Sequence, residues 1–262
     1  MDGSLKSETA NAELVVVGSS AGGVGALSTL VATLNKSFPA PIVIAQHLDP
    51  QRPSQLGSIL ERRSTLPIVV VGEHGPTKLE GGRIYVVPAN RHVRISDGHV
   101  LLEGDHNDRP KPSVDMLLSS ASQSYGEHLI AVILTGSGSD GAAGAVEVKN
   151  GGGVVIIQNP QTAAYPSMPL SLPPTAVDHV VEIEQLGPLL FEILKGVSLA
   201  APTEKPDDPL RDLLVQVSAQ TNIDFRNYKS ATSYGGSAAA WQSLTIAISG
   251  TMVITSALTP TR

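Results

Sequence analysis

Gly18-Ser19-Ser20-Ala21-Gly22, directly after the apolar run at 14–17, has the G-x-S-x-G spacing of a serine raised on a tight strand-to-helix turn. Every neighbour of the middle serine is small, as such a turn requires. Other readings compete. Gly18 and Gly23 have the glycine spacing of a phosphate-binding P-loop, but Val24 stands where the lysine is needed. Gly23 and Gly25 begin a dinucleotide fingerprint, but Ser28 ends it and it starts too late after the strand. An anion held by the helix N-terminus without a full motif, or a plain tight turn, stays open.

A nucleophilic serine needs a base, and the base needs an orienting acid. In open parallel sheets ligands bind beyond the carboxyl ends of the strands. His47 follows the run PIVIAQ, and Asp140 lies in TGSGSDG after LIAVIL. Ser20, His47 and Asp140 thus each follow a different apolar run, on one expected rim. Singly, His47 reads as a loop histidine and Asp140 as a helix N-cap. His74, in GEHGPTK, is the best rival base. His92, His99 and His106 have polar neighbours and a spacing of seven that fits no zinc signature, so a solvated surface is expected. His128 precedes a strand, on the wrong edge, and His179 sits near a strand start. The order Ser, His, Asp differs from the Ser, acid, His order of ordinary α/β-hydrolases.

These residues need a scaffold. Apolar runs at 14–17, 41–46, 67–72, 129–136 and 153–158 read as strands, and the continuous β-branched run at 14–17 suits one buried on both faces. Between them, 24–36, 54–63, 113–123 and 139–150 carry helical spacing, with Ser113 as an N-cap. Two short helices follow near 168–176 and 185–195. The alternation implies an α/β fold: a doubly wound, mostly parallel sheet with helices on both faces. A β-hairpin insertion over 83–103, with its turn at Ser96-Asp97-Gly98, interrupts it.

Composition narrows the chemistry. The 262 residues are 41% apolar but only 3% aromatic, so Val, Ile, Leu and Ala must build the core. No cysteine is present, which removes thiol nucleophiles, thiolate metal sites and disulfides. A net charge of -6 argues against a general nucleic-acid binder. The polar start, residues 1–12, reads as a disordered leader without a signal peptide's apolar segment. LTIAISGTMVITSAL is too short and too rich in Ser, Thr and Gly for membrane insertion. A cytoplasmic location is expected.

The segments VVVGSSAGGVGAL, IVIAQHLDP, RPKPSVDMLL and VILTGSGSDGAAG resemble, in order and spacing, the catalytic domain of the chemotaxis protein-glutamate methylesterases, the CheB type. The resemblance covers roughly 12–196, within a catalytic domain drawn at 13–197. It implies a serine hydrolase that removes glutamyl methyl esters from chemoreceptor helices and deamidates their glutamines. Position by position, it implies Ser20 as nucleophile, His47 as base and Asp140 as orienting acid. It places the oxyanion hole at the backbone amides of Ala21 and Ser137. No cofactor or metal is implied. The implied partner is a methylated chemoreceptor or a similar methylated sensor protein; Arg109 and Lys111 in DRPKPS read either as steering its acidic surface or as a solvated basic loop.

The chain departs from the family pattern in places. Ala21 stands where threonine is common, and Ser137 where methionine is common; a main-chain oxyanion hole tolerates both. Twelve residues ahead of the first strand are too few for the receiver domain of familiar members, so control by that route is expected to be absent within this chain. Residues 198–209, rich in Pro and charge, read as a linker. Residues 210–232 resemble the start of a CheR-type receptor methyltransferase. After Thr232 that pattern is lost, and 233–262 reads as a poorly ordered tail, either a truncated or frame-shifted fusion or a lineage-specific extension. The rival functional reading is a catalytically idle receptor- or sensor-binding module on the same fold.

Overall fold

The computed structural model describes residues 13–48, 54–72, 75–103 and 111–196. The leader at 1–12, the linker at 198–209, the fragment at 210–232 and the tail at 233–262 lie outside them. In chain order the elements are β1 (Leu14–Ser19), α1 (Gly23–Thr33), β2 (Ile42–Gln46), α2 (Leu56–Glu61), β3 (Ile68–Val70), β4 (Thr77–Lys78), β5 (Ile84–Val86), β6 (His92–Ser96) and β7 (His99–Glu103). Then come α3 (Val114–Tyr125), β8 (Leu129–Ile133), α4 (Ala142–Asn150), β9 (Val154–Gln158), α5 (Ser167–Leu170), β10 (His179–Val181) and α6 (Leu186–Leu194).

Seven strands form one parallel sheet in the order β10-β9-β8-β1-β2-β5-β3. The β1 side chains alternate between two cores. Leu14 and Val16 pack with Val114, Leu117 and Leu118 of α3 and Ala145 and Val148 of α4. Val15 and Val17 pack with Leu27 and Leu30 of α1 and Leu186 and Leu190 of α6. A strand covered by helices on both faces has no polar face to show, which is why β1 reads as an unbroken apolar run.

Chain order fixes where a ligand fits. From β1 the chain builds β2, β3 and β5 on one side, then returns to build β8, β9 and β10 on the other. The winding reverses beside β1, and such a reversal opens a crevice at the carboxyl ends of the central strands.

One expectation about the elements needs correction. The hairpin insertion is shorter than 83–103. Ile84–Val86 is an interior strand of the parallel sheet, between β2 and β3. Only β6 and β7 form the hairpin, joined by β4 in a separate three-stranded antiparallel sheet. The run at 67–72 supplies the edge strand β3, with Val70 56% exposed.

Candidate active site

The ends of β1, β2 and β8 are laced together by backbone hydrogen bonds. Ser20 N donates to Thr135 O at 3.0 Å, and Leu134 N donates to Gly18 O at 2.9 Å. His47 N donates to Ser19 O at 3.1 Å. Ser20 and His47 therefore follow the paired residues Ser19 and Gln46 on adjacent strands.

Beneath them the buried side chains of Ser19 and Gln46 complete the frame. The Ser19 hydroxyl donates to Gln46 Oε1 at 2.6 Å. Gln46 Nε2 donates to Ser20 O at 2.8 Å and His47 O at 2.7 Å. Two glycines make the turn possible. Gly22 has φ +74°, the left-handed region that favours glycine. A Cβ on Gly23 would lie 1.9 Å from Gln46 Oε1. Ser20 itself has no positive φ, since Asn90 and Asp97 are the non-glycine residues with one among those described. The strained serine of the α/β-hydrolase elbow is therefore not reproduced; the left-handed residue comes two positions later.

Across the crevice, the loop after β8 is held by the segment before α5. Gly136 N donates to Tyr165 O at 2.9 Å, and Gly136 O accepts from Met168 N at 3.0 Å. A Cβ on Gly136 would lie 2.8 Å from the Ser20 Cβ, so the bare backbone of this loop passes directly beside Ser20. Ser137, the next residue, is exposed.

Asp140 meets His47. The Asp140 Oδ2 lies 2.8 Å from His47 Nε2, with both side chains mostly buried. The same oxygen accepts from Val114 N at 2.7 Å. Oδ1 accepts from Asp115 N at 3.0 Å and from the Ser113 hydroxyl at 3.2 Å. Burial alone would push this carboxyl up. The hydrogen bond from His47, the Asp115 and Val114 amides and the nearby imidazole charge outweigh it, and Asp140 sits below the ordinary carboxylate value. An ionised Asp140 on Nε2 holds a proton there and leaves Nδ1 as the acceptor nitrogen. The ring is thus turned opposite to the trypsin arrangement, where the acid takes Nδ1.

A sequence model described as CheB methylesterase matches residues 15–190. The chain belongs to this family. A relative from Leptospira interrogans is 36% identical over 186 residues, covering 70% of this chain and 95% of its own length. The Thermotoga maritima protein-glutamate methylesterase/protein-glutamine glutaminase is 34% identical over 188 residues, 70% of this chain but 54% of that protein. The crystal structure of the Thermotoga maritima CheB methylesterase catalytic domain superposes with a TM-score of 0.62 at 32% identity, covering 70% of this chain and 98% of that one. The mostly parallel α/β sheet is therefore the fold of the CheB catalytic domain.

Within this family frame, the residues singled out from the sequence fall as follows. Ser20, His47 and Asp140 lie at the ends of β1, β2 and the loop after β8. Ala21 and Ser137 flank the Ser20–Gly136 approach. Lys111, half-buried, lies two residues before the α3 N-cap Ser113, while Arg109 lies outside the described residues. The rival base His74 and His106 also lie outside them. Asp140 does not cap its own helix, as its sequence position suggests; Gly141 holds that place. His92 is not a solvated surface residue but 1% exposed, with Nδ1 accepting from Ser113 N at 3.2 Å.

Sequence reasoning missed Gln46, Thr135 and Asp115. Gln46 had a signal: it is the polar residue that ends an otherwise apolar strand. Thr135 is buried, with its hydroxyl accepting from Tyr165 N at 2.8 Å. Asp115 stands in the first turn of α3, but its partners are in another helix.

Proposed function

We propose that this protein hydrolyses glutamyl methyl esters on chemoreceptors through Ser20, His47 and Asp140. The observation that carries the reading is the 2.8 Å contact between His47 Nε2 and Asp140 Oδ2, at the rim where the Ser20 turn emerges. Membership of the CheB methylesterase family supplies the reaction class.

In this reading Ser20 Oγ attacks the ester carbonyl while its proton passes to His47 Nδ1. Asp140 keeps the proton on Nε2 and steadies the imidazolium. The amides of Ala21 and Ser137 receive the oxyanion, each worth about 3–4 kcal/mol in comparable sites. The imidazolium returns its proton to methoxide, and methanol leaves. A water, deprotonated by His47, then cleaves the acyl-serine to give the glutamate carboxylate and free Ser20. A glutamine side chain enters the same path with ammonia leaving, as the name of the Thermotoga relative suggests.

The proposed partner is the methylated cytoplasmic helix of a chemoreceptor or similar sensor, with Arg109 and Lys111 steering its acidic surface. The proposed location is the cytoplasm; no helix among the described residues is long and apolar enough to cross a membrane. The proposed organisation keeps catalysis within 13–197, with 210–232 related to the start of a CheR-type methyltransferase through the likeness of that segment.

The test is methanol release from methylated receptor membranes. Wild-type protein is expected to release methanol and Ser20→Ala to release none above background. Equal rates would reject Ser20 as the nucleophile. A folded wild-type protein that neither releases methanol nor reacts with a fluorophosphonate would favour the idle binding module instead.

A further inference from the structure

We propose that Asp115 is a positioning residue that fixes Asp140 against His47 through an exchange of caps between α3 and α4. The inference rests on reading His47 and Asp140 as the catalytic pair.

A helix begins with several amide donors that its own carbonyls cannot satisfy. In α3 two of these, Val114 N and Asp115 N, are taken by the Asp140 carboxylate at 2.7 and 3.0 Å. Asp140 is not part of α3; it stands two residues before α4. The start of α4 has the same need and no cap of its own, because Gly141 offers no side chain. Ala142 N donates to Ser139 O at 3.1 Å, and two donors beside it go to the acid of the other helix. Gly141 N and Gly144 N donate to Asp115 Oδ1 at 2.9 and 2.8 Å. Each aspartate thus seats the helix that the other introduces, and each negative charge sits on a positive helix end.

The exchange leaves Asp140 little freedom. Gly141, gripped by Asp115, is bonded directly to it in the chain. The two helices also touch backbone to side chain, since a Cβ on Gly144 would lie 2.7 Å from the Leu118 Cβ and 3.0 Å from Asp115 O. Asp140 Oδ2 must serve His47 Nε2 and Val114 N at once. A shift of the α4 entry of about 1 Å would trade one contact for the other, and misplacement on that scale costs about 100-fold in rate. Asp115 is the side chain that joins the two helix starts in the return direction, and it acts on the reaction only through Asp140.

The experiment uses the full chain and three readouts: kcat and KM for methanol release from methylated receptor, and the rate of labelling by a fluorophosphonate. Asp115→Ala is expected to lower kcat and the labelling rate together by about 10- to 100-fold, with KM within about twofold. Asp115→Asn keeps an oxygen that accepts both amides and is expected to recover most of both rates. A general loss of stability would lower apparent kcat only by the unfolded fraction, which circular dichroism reads, so both rates are expressed per folded protein; it would also not favour Asn over Ala. Should Asp115→Ala not fold, Asp115→Ser carries the test, because its hydroxyl is too short to bridge to Gly144; it is expected to lose the same rates. Wild-type rates in a folded Asp115→Ala or Asp115→Ser protein overturn the proposal, as does Asp115→Asn being damaged as much as Asp115→Ala. Asp140→Asn and Ser20→Ala run alongside: if these leave the rates unchanged, the reading of the site fails rather than the role of Asp115.

Discussion

The turn that carries Ser20 and the turn that carries Asp140 reach the same rim by different means. The serine turn is held by main chain. Its amides and carbonyls continue the ladders of β1 with β2 and β8, and glycines let the chain pass under Gln46. The acid turn is held by side chains, with two carboxylates 25 residues apart in the chain exchanged between two helix starts. The comparison shows a division of labour. Backbone ladders fix the turn that carries Ser20, the proposed nucleophile. Side-chain exchange places Asp140, the proposed acid, and its amide hydrogen bonds join that of His47 in holding the carboxyl below its ordinary value against burial.

If this division is right, the two sides break differently. The largest effect is expected for Ser20→Ala, a loss of about 10⁴-fold or more in kcat with stability changed by less than about 0.5 kcal/mol, followed by methanol release and urea unfolding. Asp140→Asn is expected to cost about 10³- to 10⁴-fold in kcat and, unlike the serine variant, about 1 kcal/mol or more of stability. An Asp140→Asn protein as stable as wild type would erase the distinction between the two turns.

The second variant also has a pH signature. The Asp140 carboxyl titrates lower in the folded protein than an ordinary Asp, chiefly because the His47 hydrogen bond and the α3 amides overcome the opposing effect of burial. Its ionised form therefore adds stability above the unfolded value of about 3.9, and this is lost as pH falls through the lower folded value. The stability gap between wild type and Asp140→Asn should be widest near neutrality and close on acidification. Unfolding midpoints measured along a pH series check the sign; a gap that widens in acid would contradict it.

Gly23→Ala sharpens the serine side. Its Cβ would press on Gln46 Oε1, so the turn must open at a cost of about 1–3 kcal/mol, read by thermal unfolding. The smallest effect belongs to Lys111→Ala. Steering of an acidic receptor surface predicts a rise in KM of a few fold that fades as salt is added, with kcat unchanged.

The same division explains what the sequence revealed. Small residues around Ser20 and polar residues just after apolar strands are local signals, and they led to Ser20, His47 and Asp140. The hydrolase template puts the strain on the serine; here Gly22, two positions later, takes the left-handed conformation. Ile84–Val86 was absorbed into the hairpin because three residues say nothing of their partners, and its parallel pairing with β2 and β3 joins distant parts of the chain. His92 sits among polar letters, yet α3 packs over β6 and buries it. Asp115 shows in the sequence only as an acid near the start of a helical run, a common and favourable place. Its acceptor role depends on where α4 starts in space, which no local pattern encodes.

The central claim is that Ser20 is activated by His47. The most direct measurement is mass spectrometry of the full chain after fluorophosphonate treatment. The account predicts one adduct, on the peptide containing Ser20, present in wild type and lost in His47→Ala. An adduct on another residue, or undiminished labelling of Ser20 in a folded His47→Ala protein, would contradict it.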